Sequence, residues 1–221
     1  AFMPSPAKTL QGAVELIKNG ELYKGIVASF SRILIGYLIG SLIGIPLGLL
    51  MGRSQMVRTL MDPYVEFFRF IPPIAFVTLA IIWFGLGETS KIVLIVYTTV
   101  FMVAINTMIG VLSVEPDKIF AARCLGASER QAFVFVTIPA AIPQIAIGMK
   151  IAMGNSFMTV VSAEMVAAQS GVGFLIFHSR LFLLTEWIFV GILTLGIMGF
   201  ITDRTFRTLA SFLLKRYDIR L

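Results

Sequence analysis

Long stretches without a charged residue alternate along this chain with short clusters of basic and acidic residues. Ile33 to Gly52, Phe70 to Gly87 and Ile92 to Val114 carry no charge. Neither does Gln131 to Met149, which continues past the single Lys150 as far as Ala163. Trp187 to Thr202 is shorter, and the apolar "LFLLT" precedes it with one glutamate between. A helix needs about 20 apolar residues to cross a bilayer. The pattern therefore predicts an all-α integral membrane protein with five spanning helices. The piece "VGFLIFH" at 172–178 is too short to span and reads as a re-entrant or interfacial segment. Over residues 7–27, Val14, Leu16, Ile17, Leu22 and Ile26 form the apolar contacts of an amphipathic helix lying on the membrane surface. The expected organisation is an outer-face amphipathic segment over 1–28 and a membrane domain over 29–221.

The first span carries a second pattern. Gly36, Gly40, Gly44, Gly48 and Gly52 recur every fourth residue. Each step turns the helix by about 400°, so the glycines form a slowly winding smooth groove. Small residues at this spacing let two membrane helices approach closely. The groove fits packing within the subunit, and equally a helix lining a dimer interface or a transport pathway. Pro46, inside the ladder, is expected to bend it.

Composition sharpens the class. Charged residues make up 14% of the chain and apolar ones 57%, with a mean hydropathy of +0.92. That is far fewer charges than the quarter or so of a soluble domain. The net charge of +6 fits basic loops on the cytoplasmic side of a membrane. Eleven basic residues fall on one side: Arg53, Arg58, Arg69, Lys118, Arg123, Arg130, Arg204, Arg207, Lys215, Arg216 and Arg220. Five fall on the other: Lys8, Lys18, Lys24, Lys91 and Arg180. The first side is expected to be cytoplasmic, and five spans then leave the N-terminus outside. A start on the outside without a basic and apolar leader suggests a further membrane helix before residue 1. The single Cys124 excludes an intrachain disulfide.

One polar interruption stands apart, "FAARCLGASERQAFVFVTIPAAIP" from Phe120 to Pro143. Pro116 suits the first turn of a helix that runs to about Leu125. Gly126 is the residue expected just past a helix end. Ser128 with Gln131 three positions on is a capping-box pattern that opens a second helix. The elbow is thus helix, tight turn, helix. Pro139 and Pro143 each remove a backbone donor, so the second helix is expected to kink where it enters the bilayer. The elbow is either a handle for something outside the membrane or an ordinary interfacial loop.

The spacing of this stretch resembles the signature loop of binding-protein-dependent ATP-binding-cassette importer permeases. That pattern is Glu-Ala-Ala, three residues, Gly, nine residues, then Ile-x-Leu-Pro. Here Ala121 and Ala122, Gly126, and Val136-Thr137-Ile138-Pro139 fill the places, while Phe120 stands where the family has an acid. "MPSP", "ASFSRILIGYLIGSLIGIPLGLLMG", "DPYVEFFRFIPPIAF", "IIWFGLGETSKI" and "SAEMVAAQSGVGFLI" resemble the nitrate/sulfonate/taurine branch. The resemblance is nearest to taurine and alkanesulfonate permeases. It implies a type I ABC importer permease fold, a six-helix subunit whose first helix is missing from this chain. It implies a second permease subunit, two ABC ATPase subunits, a periplasmic or extracellular substrate-binding protein, and a setting in the lipid of the bacterial cytoplasmic membrane. It also implies a cytoplasmic coupling loop over 115–138 that docks in a groove of the ATPase. Its contacts would be Phe120, Ala121, Ala122, Arg123, Leu125, Gly126, Ala127, Ser128 and Arg130, with an apolar contact at Phe120.

The chain carries no GxxxxGK[ST] phosphate loop, one histidine (His178) and no metal-ligand cluster. It is therefore expected to be non-catalytic and to bind no cofactor, with ATP and Mg held by the partner ATPase, and to have no nucleic-acid role. Lys150, Asn155 and Glu164 share one helix and are the candidate pathway residues. Lys150 either attracts an anionic substrate, snorkels to the cytoplasmic interface or contacts a neighbouring subunit. Glu164, near the outer end, is expected in an ion pair or helix-end contact. Gly171 and Gly173 let the outer segment turn, as a gate requires. Taurine and alkanesulfonates lead the substrates the resemblance implies, ahead of nitrate, bicarbonate, aromatic acids and pyrimidine precursors. The rival classes are an ATPase-independent secondary transporter, a membrane-embedded enzyme and a scaffold subunit.

Overall fold

The structure, a computed structural model, describes residues 3–215; Arg216 and Arg220, counted above on the basic side, lie outside the described residues. Helix α1 runs Pro6–Lys18, opened by the Ser5 side chain, which accepts the Lys8 N–H. It stops at Lys18 because Gly20 takes a left-handed φ of 73°. The amphipathic helix expected over 7–27 is thus shorter. Leu22 and Ile26 belong instead to α2, Glu21–Arg53, a continuous helix that passes through Pro46.

The second expected span is the largest departure. Phe70 to Gly87 is not one helix. Helix α3 (Gln55–Arg69) and helix α4 (Pro73–Phe84) meet at a bend of 99°. Pro72 and Pro73 cause it: a residue before proline is pushed out of the helical region, and Pro72 sits at ψ 139°. Tyr97 supports the break by donating its hydroxyl to the Phe68 carbonyl at 2.5 Å.

The remaining elements are α5 (Glu88–Leu112), α6 (Pro116–Cys124), α7 (Glu129–Ala132), α8 (Ile138–Ala167), α9 (Val172–Leu181) and α10 (Thr185–Leu213). Among the described residues, four stretches are long and apolar enough to cross a membrane, and the count reaches five if the bent α3–α4 pair is one span. Helix α9 is the short apolar piece that the sequence marked as too short to cross.

Helix α5 is the centre of the bundle, packed between α2 and α8. Ile33 and Tyr37 of α2, Ile95 and Val103 of α5, and Ala152 and Val160 of α8 form its buried core. The glycine ladder faces α5. A Cβ at Gly36 would sit 2.6 Å from the Ile95 Cβ, and one at Gly40 would sit 2.5 Å from the Thr99 Cβ. At Gly48 it would meet the Ala104 carbonyl oxygen at 2.4 Å, and at Gly52 the Val111 Cβ at 2.5 Å. The ladder is therefore packing within the subunit. Helix α5 supplies the opposing ridge, Ile95, Thr99, Val103, Thr107 and Val111, also four residues apart and all β-branched. At the end of the bundle away from the elbow, Leu16, Leu22, Leu175 and Val190 join α1, α2, α9 and α10.

Candidate functional site

The elbow is built from local capping chemistry. Helix α6 ends in a left-handed glycine, with Gly126 at φ 86°. The Ala127 N–H donates to the Ala122 carbonyl at 3.0 Å and the Gly126 N–H to the Arg123 carbonyl at 2.9 Å. These two bonds are the paired closure of a Schellman motif. Two residues later Ser128 opens α7 with a complete capping box: its side chain accepts the Gln131 N–H at 3.4 Å, and the Gln131 side chain accepts the Ser128 N–H at 2.8 Å. An Arg123–Glu129 ion pair spans the turn on its exposed side. The N–H groups of Leu125, Gly126, Ala127, Ser128 and Gln131 are thus answered within a few residues, which stiffens the elbow.

The elbow has a fixed side and a free side. Ala132 and Thr137 are buried behind it, and the Arg53 guanidinium lies 4.9 Å above the Phe133 ring. No residue of α6 is buried. Phe120 is 66% exposed and Leu125 is 91% exposed. Two large apolar side chains thus face outward from the elbow, without cover among the described residues.

The link from elbow to membrane helix widens just before Pro139. Residues Phe133–Thr137 form a π-helical turn, and the Ile138 N–H donates to the Phe133 carbonyl five residues back. Pro139 has no N–H to give Phe135 and its ring crowds that carbonyl, so the turn widens instead of breaking. Helices α7 and α8 therefore run on as one rod from Glu129 to Ala167.

The three expected pathway residues lie in three different places. Lys150 is half-buried and lines a cavity of about 580 Å³ between α8 and α10, with Gly154, Gly196, Phe200 and Asp203. Asn155 lines a separate cavity of about 160 Å³ at the α3–α4 break. Glu164 is fully buried at the far end. The helix phase already sets Asn155 apart: at about 100° per residue it is turned by about 140° from Lys150 and by about 180° from Glu164, while those two are about 40° apart in phase and about 21 Å apart along the axis.

Glu164 has three hydrogen-bond partners that the sequence did not reveal as a unit. It accepts from Ser29 Oγ at 2.8 Å, from Arg32 Nη1 at 2.7 Å and from the Gly173 N–H at 2.9 Å. Arg32 also grips Glu88 through Nε at 2.5 Å and Nη2 at 2.7 Å, and donates to the Ser170 carbonyl at 2.6 Å. Lys91 adds a bond to Glu88 at 3.1 Å. One guanidinium thereby ties α2, α5, α8 and the turn before α9. Gly171, at φ 127°, passes so close that a Cβ would lie 2.3 Å from the Glu164 carboxyl carbon. The signal for Arg32 was available: it is an isolated charge beside a long apolar run, and such a charge needs a partner.

Arg69 is displaced from its expected place. Counted with the cytoplasmic loops, it lies instead at the α3–α4 break, lining a cavity with Thr98 and Asn155 from the middle of α5 and α8.

Comparison with known proteins agrees with this architecture. The family model for "Binding-protein-dependent transport system inner membrane component" matches residues 40–216. The chain is 38% identical over 213 residues to the taurine transport system permease protein TauC of Escherichia coli, covering 94% of this chain and 78% of that protein. It is 33% identical over 211 residues to the nitrate import permease protein NrtB of Synechocystis, covering 91% and 77%. An inward-facing structure of the MetNI methionine ABC transporter superposes with a TM-score of 0.70 at 19% identity, covering 85% of this chain and 95% of that one. The last likeness speaks for the fold.

Proposed function

The chain belongs to the binding-protein-dependent transport-system inner-membrane components, and from that premise we propose that it imports a small oxyanion of the taurine or alkanesulfonate kind. It is a multi-pass permease of the inner membrane. On this reading two copies pair across a pathway, two ABC ATPases dock below them, and a binding protein delivers substrate from outside. ATP and Mg belong to the ATPases, since this chain has no phosphate loop.

The observation that carries the reading is the elbow. Phe120 and Leu125 present an apolar face on a helix locked by capping chemistry, and the α7–α8 rod leads from it into the bundle. Closure of the ATPases on ATP would push this handle. A stiff turn transmits the push, and α8 carries it past Lys150 and Asn155 to the Glu164 cluster at the outer end. Alternating access then follows from motion of one rigid unit against another. Nitrate is the second substrate reading, favoured by the similarity to the Synechocystis permease.

The test is Gly126→Pro in the reconstituted complex. Proline cannot adopt φ 86° and removes the N–H bonded to Arg123. The expected result is a membrane-inserted permease whose ATPase partner no longer responds to loaded binding protein. Full stimulation in the variant would overturn the handle. Ligand binding by the partner binding protein, titrated with taurine, an alkanesulfonate and nitrate, decides the substrate.

A further inference from the structure

The break between α3 and α4 collects polar groups beside the middle of α5 and α8, where Arg69 is exposed and Asn155 half-buried. Arg69, Thr98, Asn155 and Thr159 line one cavity of about 160 Å³ there, with Tyr97 at its edge. Thr98 is ten residues from the start of α5 at Glu88 and fourteen from its end at Leu112. At 1.5 Å per residue these are about 15 and 21 Å, so the cavity sits near mid-depth of that helix. Asn155 is twelve residues from the end of α8 at Ala167, which is about 18 Å by the same rise.

Polar groups at that depth are costly unless they are paired or used. Tyr97 is used: its hydroxyl is spent on the Phe68 carbonyl and holds the break. Thr98 and Thr159 share a hydrogen bond of 3.2 Å and lean on carbonyls of their own helices. Arg69 differs. Among the described residues it has no acidic partner, and its guanidinium lies 4.7 Å above the Phe70 ring. The Asn155 side chain has no hydrogen-bond partner among the described residues; only its backbone carbonyl is engaged. No carboxylate lines the cavity.

A free guanidinium, a free amide and two hydroxyls around a space this small match a small oxyanion. The volume is below the roughly 300 Å³ at which drug-sized ligand pockets begin. Arg69 offers several N–H donors in a fixed fork suited to sulfonate, nitrate or carboxylate oxygens. Lys150 is less suited, because its cavity also contains the carboxylate of Asp203.

We propose that the α3–α4 break is a transient oxyanion subsite on the translocation path, with Arg69 supplying the charge and Asn155 a directed amide donor. The proposal rests on the importer reading above and assigns its substrate class to named residues. The proline break brings Arg69, at the end of α3, to the cavity that Asn155 of α8 lines.

The experiment uses the permease with its ATPase and binding protein in proteoliposomes, with labelled taurine and labelled nitrate as separate probes. Wild type must first show ATP-dependent uptake of one of them; failure there overturns the importer reading itself. In that background Arg69→Gln is expected to lower substrate carried per ATP by about tenfold, while Arg69→Lys keeps most of it. ATPase stimulation by loaded binding protein is expected to stay within about twofold in both, since the elbow is untouched. Asn155→Asp, equal in shape but negative, is expected to impair uptake more than Asn155→Ala. Wild-type transport in Arg69→Gln would overturn the subsite. So would equal loss in Arg69→Gln and Arg69→Lys, or equal effects of the two Asn155 variants, because a purely structural role predicts them.

Discussion

A carboxylate with no exposure is tolerated only when its charge is answered on every side. Glu164 meets that condition through Ser29, Arg32 and the Gly173 N–H. Arg32 in turn depends on Glu88, whose side chain is 58% exposed. The two ends of the network should therefore respond differently to mutation. Glu164→Ala removes the fully buried acceptor of Ser29, Arg32 and the Gly173 N–H, leaves Arg32 only Glu88 and Ser170, and is expected to cost about 3–5 kcal/mol. Glu88→Ala leaves Arg32 its contact with Glu164 and is expected to cost much less. Thermal unfolding of the detergent-purified protein compares the two, and equal losses would mean that the network is not organised around Glu164. Sequence reading expected Glu164 in an ion pair or helix-end contact, and the structure gives it Arg32. It could not name that partner, which lies 132 residues away.

At the scale of elements, α2 and α5 interlock as groove and ridge. Five glycines on one helix face five β-branched residues on the other, each series four residues apart. With lipid tails as apolar as the side chains, such helices are held by close packing rather than by expulsion of water. Space is therefore decisive. Gly48→Ala puts a methyl 2.4 Å from a backbone carbonyl that cannot yield as a side chain would. It is expected to destabilise by about 1–3 kcal/mol. Gly154→Ala, with nothing within 4 Å of the added carbon, is the matched control and is expected to be neutral in the isolated subunit. A detergent melting series separates them. The ladder was legible in the sequence, but its partner was not chosen there, since packing within the subunit and an outer interface make the same demand on glycine.

At the scale of the whole molecule, the two ends of the bundle are built differently. One end is tied by a buried ionic network, and the other ends in an elbow whose Phe120 and Leu125 have no cover among the described residues. On the proposed assembly the ATPase supplies that cover. Phe120, standing where the family usually has an acid, then makes an apolar contact. Phe120→Ala is expected to weaken ATPase association by about tenfold or more, as truncation of an aromatic anchor does. Lys118→Ala, at an exposed charge already paired with Glu115, should change it little. Pull-down of the ATPase at graded salt measures both. A larger loss for Lys118→Ala would make the docking electrostatic instead.

What the sequence determined by itself is what short-range chemistry determines. The apolar runs, the Ser128–Gln131 capping box and the left-handed Gly126 depend on residues within one or two turns, so they were readable and the structure contains them. Pro72 and Pro73 were equally visible, yet a run of hydropathy spoke for one straight span there. Backbone sterics overrode it and gave a 99° bend. Only the tertiary structure decided which distant groups meet. It brought Arg32 to Glu164, set Arg69 and Asn155 around one cavity, and gave Lys150, Asn155 and Glu164 three separate surroundings. The physical reason is range. Caps and turns are closed by neighbours in the chain, whereas a buried charge is satisfied by whichever helix packing brings within about 3 Å, and that choice belongs to the fold.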